Sequence, residues 1–320
     1  MRHHLLRALV LIAAAAFAST APAADKARVG KAVPFAWTFT PIEVGVEVGI
    51  FAKHGLELEV PAFAGDARLQ QGLVSGSIDF GLGSGPGMAF PAKGSPAKAV
   101  AAMAGAPMNM CIVVPYNSPV RALDEIKGKK VGITTVGSLT DWLLKRVVAA
   151  KQWAPADVTA VTVGGMDSTK AALKTGQIDA VVIALELGYA LEAAKEWRVL
   201  APLAPFAPDF HTHVIFARDD VIAGKPRLVE QFLRGWFETI AFMRANRERT
   251  VGITAKVLNL DEAVIGRVYD EQIRIFSADG RFDPKALAVL RKSLVEMALL
   301  QHEPADSAML TTRFVPVKLQ

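Results

Sequence analysis

The sequence predicts an α/β chain folded as two similar lobes, each a mainly parallel sheet flanked by helices. Three observations lead there. The frame L-x-x-G-x-I-D occurs twice, at Leu73, Gly76, Ile78 and Asp79 and again at Leu173, Gly176, Ile178 and Asp179. Short apolar runs alternate with helix-length amphipathic stretches, the pattern that parallel sheets require. No low-complexity linker follows residue 24, so ordered strands must join the two halves.

Within the frame each residue has a physical task. Leucine packs a helix onto the sheet, glycine ends that helix where φ turns positive, and Ile-Asp opens the next strand. Asp79 and Asp179 therefore read as strand-entrance residues rather than functional carboxylates.

The first unit begins with a strand at 26–33 and the loop PFAWTFTP. A helix starts at Pro41, with Ile42, Val46, Gly49 and Ile50 on one face, and stops at Gly55. Strand 56–60, helix 66–75, strand 78–82, the loop GSGPGM and strand 99–103 complete it. The apolar stretch 109–114 reads as the way out. In the second unit a short helix and a basic turn at 127–130 precede strand 130–134. Helix 139–151, strand 158–163, helix 168–174, strand 178–185, a helix through Tyr189 and Leu191, and strand 198–203 follow. HTHVIFAR, from His211 to Arg218, is read as a second crossing strand. Beyond it, Leu228/Val229, Phe232/Leu233, Trp236/Phe237 and Ile240/Ala241 form one stripe of a packing helix, and two further helical stretches are predicted at 260–276 and 285–301.

The amino terminus reads as a cleaved secretory signal, 1–23. Arg2 and Arg7 precede an apolar run from Leu9 to Ala18 that is shorter than a membrane span, and Ala21 and Ala23 frame a small-residue cleavage site. The remaining 297 residues or so suffice for two lobes. The only cysteine, Cys111, excludes an intramolecular disulfide and stands too far from the signal to carry a lipid, which fits a periplasmic setting. The formal charge of +5 falls to +3 without the signal, and its basic residues are interspersed with acidic ones. No nucleic-acid footprint is present.

GIFAKHGLELEV (Gly49 to Val60), the two L-x-x-G-x-I-D frames, LDEIKGKKVGI (Leu123 to Ile133) and the trailing helices together resemble the nitrate/sulfonate/taurine-type, pyrimidine-precursor-like substrate-binding proteins of ABC importers. Ile126 stands where that family usually has leucine. The resemblance implies a two-lobed periplasmic binding protein of the Venus-flytrap type II fold. Lobe 1 would be 24–112 plus 214–320, and lobe 2 would be 113–213. It also implies a monomer that holds a small-molecule ligand between its lobes and meets an ABC permease in the inner membrane.

Independently, open α/β sheets bind ligands beyond the carboxyl ends of their strands. The loops at those ends supply the candidate ligand-binding residues Trp37, Thr38, Phe39, Asp66, Ser84, Gly85, Ser138, Thr140, Met166, Glu186, Tyr189 and His211. Free N–H groups and hydroxyls at helix starts suit a carboxylate or sulfonate. Ser138 and Asp66 also fit as helix caps, and Trp37 and Phe39 as either cleft wall or core. Glu186, at the end of a buried strand, must be exposed, paired or facing a ligand donor. Tyr189 either offers its hydroxyl to the ligand or packs beneath its helix. His211 and His213 share a strand face without a third ligand, so no metal is expected, and no cofactor.

A non-catalytic receptor is the function expected. Two others remain open at this point: a periplasmic sensor for a membrane receptor, and a fold-related enzyme of pyrimidine or quinone precursor synthesis. Cys111 alone cannot supply the cysteine-rich motif of the pyrimidine branch, and no G-x-x-x-x-G-K-[ST] loop is present for nucleotide hydrolysis.

Overall fold

A computed structural model describes residues 24–319; the expected signal lies outside them. In chain order the first half holds β1 (Asp25–Lys31), α1 (Pro41–Glu47), α2 (Ile50–Lys53), β2 (Leu56–Glu59), α3 (Asp66–Val74), β3 (Phe80–Ser84), α4 (Ala89–Ala92) and β4 (Ala97–Ala104). The second half holds β5 (Met110–Pro115), β6 (Lys130–Ile133), α5 (Leu139–Ala150), β7 (Thr159–Thr162), α6 (Met166–Lys174), β8 (Ala180–Ala184), α7 (Leu185–Ala193) and β9 (Trp197–Pro202). β10 (His213–Arg218) then leads into α8 (Asp219–Gly224), α9 (Pro226–Ala245), α10 (Arg247–Leu258), α11 (Glu262–Gln272), α12 (Pro284–Glu296) and α13 (Asp306–Met309).

The strands form two five-stranded sheets of the same design, β2-β1-β3-β10-β4 and β7-β6-β8-β5-β9. In each, four strands run in one direction and the remaining one, β10 or β5, is antiparallel to both its neighbours. That antiparallel strand is the one arriving from the other lobe. β10 follows β9 into the first sheet, and β5 follows β4 into the second, so the crossings occupy 105–109 and 203–212. The expected lobe boundaries at 112/113 and 213/214 fall inside or beside these strands: Met110, Cys111 and Ile112 pair in the second sheet, and His213 pairs in the first.

The repeated frame does one job in both lobes. Gly76 and Gly176 adopt φ of 71° and 69°. Asp79 Oδ2 accepts the Arg28 N–H at 2.9 Å, and Asp179 Oδ2 accepts the Lys130 N–H at 2.9 Å. Each aspartate thus satisfies a backbone donor of the neighbouring parallel strand, next to where its pairing begins: Arg28 before the Val29–Phe80 pair and Lys130 before Val131–Ala180. Because these residues are spent on the turn, β3 and β8 begin two residues later than predicted.

Other departures have local causes. The predicted helix from Pro41 is interrupted at Gly49, whose φ of 77° splits it into α1 and α2 and leaves Val46 48% exposed. The stripe on α9 is buried through Ile240, while Ala241 is exposed. α10 was not anticipated: RERTVGITAKVL carries glycine and β-branched residues of modest helix propensity, and packing against α1 and α11 supplies what propensity does not.

The C-terminal helices build on the first lobe. α9 crosses α1 closely, where a Cβ on Gly45 would lie 2.3 Å from Thr239 Oγ1 and one on Gly235 2.6 Å from the Phe51 ring. Phe232 then stacks between Phe51, at 5.8 Å, and Phe80, at 4.4 Å, joining α9, α2 and β3. Phe232→Ala should destabilise the protein by about 3–5 kcal/mol in urea denaturation, since a close-packed stack cannot collapse onto the cavity; a loss under about 1 kcal/mol would mean that the stack repacks.

Candidate functional site

The chain leaving β1 turns sharply through Trp37, Thr38 and Phe39, a 3₁₀ turn in which all three side chains are buried. Thr40 Oγ1 donates to the Trp37 carbonyl at 2.8 Å and closes the turn ahead of Pro41. The indole of Trp37 lies against Phe276 at 5.8 Å and Tyr269 at 6.2 Å. Phe39 meets the His213 ring edge-on at 4.8 Å.

From the second lobe, Glu186 in the first turn of α7 reaches this turn. Its Oε1 accepts the Trp37 N–H at 2.7 Å, a bond between the lobes. Glu186 is fully buried, and its Oε2 has no protein partner. Burial raises its carboxyl from 4.5 to about 7, against the pull of the Trp37 N–H and its own backbone N–H.

Buried polar atoms without protein partners also occur on residues flanking this bond and the two crossings: Trp37 Nε1, Thr38 Oγ1, both amide atoms of Asn109 and His213 Nδ1. Asn109 closes the first crossing, and its carbonyl accepts the Leu185 N–H at 2.8 Å, next to Glu186. His213 opens β10 at the end of the second crossing, and burial lowers it to about 3, so it is neutral. An unpaired buried polar group costs about 1–3 kcal/mol, so each of these atoms is a donor or acceptor that the chain itself leaves open. Asn109 was not among the predicted residues, because a single amide in APMNM has no periodic or motif signal. His213 had been read only against a metal.

Of the remaining predicted residues, Asp66 pairs with Ser84 and Ser138 with Thr140, and most of the others bond residues outside the predicted set. Asp66 is the first residue of α3 rather than its cap, and its carboxylate accepts Ser84 N–H at 2.8 Å and Ser84 Oγ–H at 2.6 Å. Desolvation raises the Asp66 carboxyl, and the two Ser84 bonds oppose that rise. Gly85 N–H donates to the Thr212 carbonyl at 3.0 Å, and a Cβ there would lie 2.1 Å from the His211 carbonyl, so only glycine lets the crossing pass. Ser138 caps α5 and forms a ring of hydroxyls with Thr134 and Thr140 at 2.8–2.9 Å. Met166 begins α6 and is half-buried. Tyr189 donates to Glu271 on α11 at 2.6 Å. His211 Nε2 accepts the Asp283 N–H at 2.9 Å, and burial lowers this histidine to about 4.

Among the described residues no group of three or more His, Cys, Asp or Glu side chains is arranged to hold a metal ion, and no helix is long and apolar enough to cross a membrane. An open hollow on α10 and α11 is lined by Arg247, Glu262, Gly266, Arg267, Asp270 and Glu271 and by none of the junction residues.

Two matching sheets that exchange strands, with a buried polar junction between them, define the two-lobed periplasmic-binding-protein fold. Within it the chain belongs to the NMT1/THI5-like family, whose description matches residues 37–250. A Brucella abortus (strain 2308) protein, provisionally named a binding protein, is 30% identical over 259 residues, covering 80% of this chain and 77% of that one. The alkanesulfonate-binding protein SsuA from Xanthomonas axonopodis pv. citri, bound to MOPS, superposes with TM-score 0.77 at 19% identity, covering 91% of this chain and 99% of that one. The desulfurization enzyme DszB shares the fold at TM-score 0.65 and 16% identity, with 91% and 97% covered. The fold therefore serves both binding proteins and an enzyme.

The Glu186 carboxyl gives the site a pH signature. Native protein keeps a proton there that the unfolded chain releases above about pH 4.5. The resulting stability is fully present below that value and is lost as pH rises through about 7. The shift corresponds to about 3 kcal/mol. His211 and His213 act in the opposite sense, contributing above about pH 6.5 and less as pH falls. Glu186→Gln removes only the carboxyl component. The variant should therefore melt close to wild type near pH 5 and increasingly above it toward pH 8; a difference in Tm that stays constant with pH would show that Glu186 does not titrate in this range.

Proposed function

We propose that this chain is a non-catalytic receptor, exported to the periplasm through residues 1–23, that captures a small organic molecule between its lobes and delivers it to an ABC importer. The observation that carries this reading is the Glu186–Trp37 bond, which joins the lobes in the middle of buried polar atoms left without partners. A ligand that fills those partners from both lobes at once favours the closed arrangement by its own binding free energy. The relative from Brucella abortus, named as a binding protein, supports the same role.

The junction also limits the ligand. Its polar set holds one carboxylate and no Lys or Arg, and the buried cation nearest in sequence, Lys31, is paired with Glu43. The free Oε2 of Glu186 calls for a hydrogen-bond donor, and the indole of Trp37 suits a flat ring. The ligand is therefore a compact aromatic molecule bearing N–H donors, in contrast to the sulfonate ligands named for the SsuA structures.

Thermal-shift titration of the protein from Ala24 onward, with benzamidine and benzenesulfonate as size-matched probes, tests both statements. Benzamidine should raise Tm progressively with concentration and emerge chemically unchanged, and benzenesulfonate should raise it less. A larger shift with the sulfonate would overturn the ligand class. Turnover of a bound compound would overturn the receptor reading.

A further inference from the structure

α7 makes a second set of contacts between the lobes, less than one helical turn on from Glu186. Tyr189 Oη donates to Glu271 Oε2 at 2.6 Å, and the guanidinium of Arg267 lies 3.5 Å from the centre of the Tyr189 ring. Arg267 Nε donates to Glu271 Oε1 at 3.0 Å, one turn along α11, and its Nη1 stands 3.9 Å from Glu192 Oε2. Glu192 is held in turn by the Val199 N–H at 3.1 Å.

These groups come from opposite lobes. Tyr189 and Glu192 lie on α7, which packs on β9, β5 and β8 of the second sheet. Arg267 and Glu271 lie on α11. That helix is fixed to the first lobe by Tyr269, whose hydroxyl donates to the Met243 carbonyl at 2.7 Å and whose ring borders Trp37.

We propose that Tyr189, Arg267 and Glu271 form a latch that fastens α7 to α11 in the closed arrangement and thereby sets how tightly the receptor holds its ligand. The inference rests on the receptor reading above. Glu186 and Tyr189 are less than one helical turn apart, so the ligand-facing carboxylate and the latch move as one body. None of the latch side chains belongs to the unpartnered set at the junction. The latch therefore acts on the population of the closed state rather than on ligand contacts. Its strongest part is the half-buried Tyr189 hydroxyl donating to a carboxylate, a charge-assisted hydrogen bond. The Arg267 side chain is 52% exposed and chiefly holds Glu271 and the ring in place.

Small-angle scattering of the ligand-free protein from Ala24 onward tests the latch without any ligand. Tyr189→Phe and Arg267→Ala should each give a larger radius of gyration than wild type. Arg247→Ala, which removes the exposed Arg247–Asp270 pair and a guanidinium 5.7 Å from the Tyr269 ring, contacts that all lie within α10 and α11, should not. Tyr189→Phe deletes a single oxygen, so its result does not hinge on a loss of folding. A radius unchanged in both latch variants, matched by Arg247→Ala, or already as large in wild type overturns the proposal. Because no ligand enters the measurement, an unchanged radius sinks the latch and leaves the receptor reading standing, whereas turnover in the titration sinks the receptor reading alone.

Discussion

The contact on which the rest of the molecule depends is the hydrogen bond from the Trp37 N–H to Glu186 Oε1. It places a carboxylate in a fully buried position with one oxygen satisfied and the other free. Such a group is tolerated only in a protein whose surrounding structure is strong enough to hold it, because removing a carboxylate from water is costly unless protonation or a partner offsets the loss. The rise of its pKa to about 7 is the trace of that cost. A donor presented by a ligand would favour the charged form and pull the pKa back down, so occupancy and protonation of this site are linked.

That position follows from the strand exchange. Each sheet receives its antiparallel strand from the other lobe, so both crossings enter at the carboxyl ends of the parallel strands, where β1 and β8 release their loops. The first crossing brings Asn109 beside Leu185, and the second brings His213 beside Phe39. Ordered backbone pairing at both crossings keeps the lobes in register: Thr212 N–H donates to the Gly105 carbonyl at 3.0 Å, tying one crossing to the other. A flexible tether would leave the opposing polar groups to find one another at a much larger entropic cost.

Much of this was legible in the sequence because it obeys short-range rules. The two L-x-x-G-x-I-D frames gave away the paired lobes, since a positive-φ glycine and a strand-entrance aspartate are local requirements that any similar unit must meet. The loops that hold Trp37, Thr38 and Glu186 could be placed because strand ends follow from periodicity. What the sequence did not disclose was pairing across distance. Asp66 reads as a helix cap until Ser84 is brought to it, Tyr189 has two readings until α11 supplies Glu271, and Asn109 carries no pattern at all. α10 is hard to read for the same reason: its glycine and β-branched residues weaken the local helix signal, and packing on α1 and α11 supplies the rest.

The two kinds of interlobe contact differ in strength in a way that suits a receptor. A buried bond such as Glu186–Trp37 gains from low dielectric but loses nearly as much in desolvation, and the free Oε2 leaves that balance unfavourable. The exposed pairs around Arg267 are screened by solvent and contribute little apiece. Neither set alone commits the protein to closure, so the open and closed arrangements stay within reach of each other. On the proposed reading, a ligand that satisfies the junction needs only a few kcal/mol of differential binding to decide between them. Had the junction been filled by a lysine or arginine from within the chain, the carboxylate would have its partner already and nothing left to recognise.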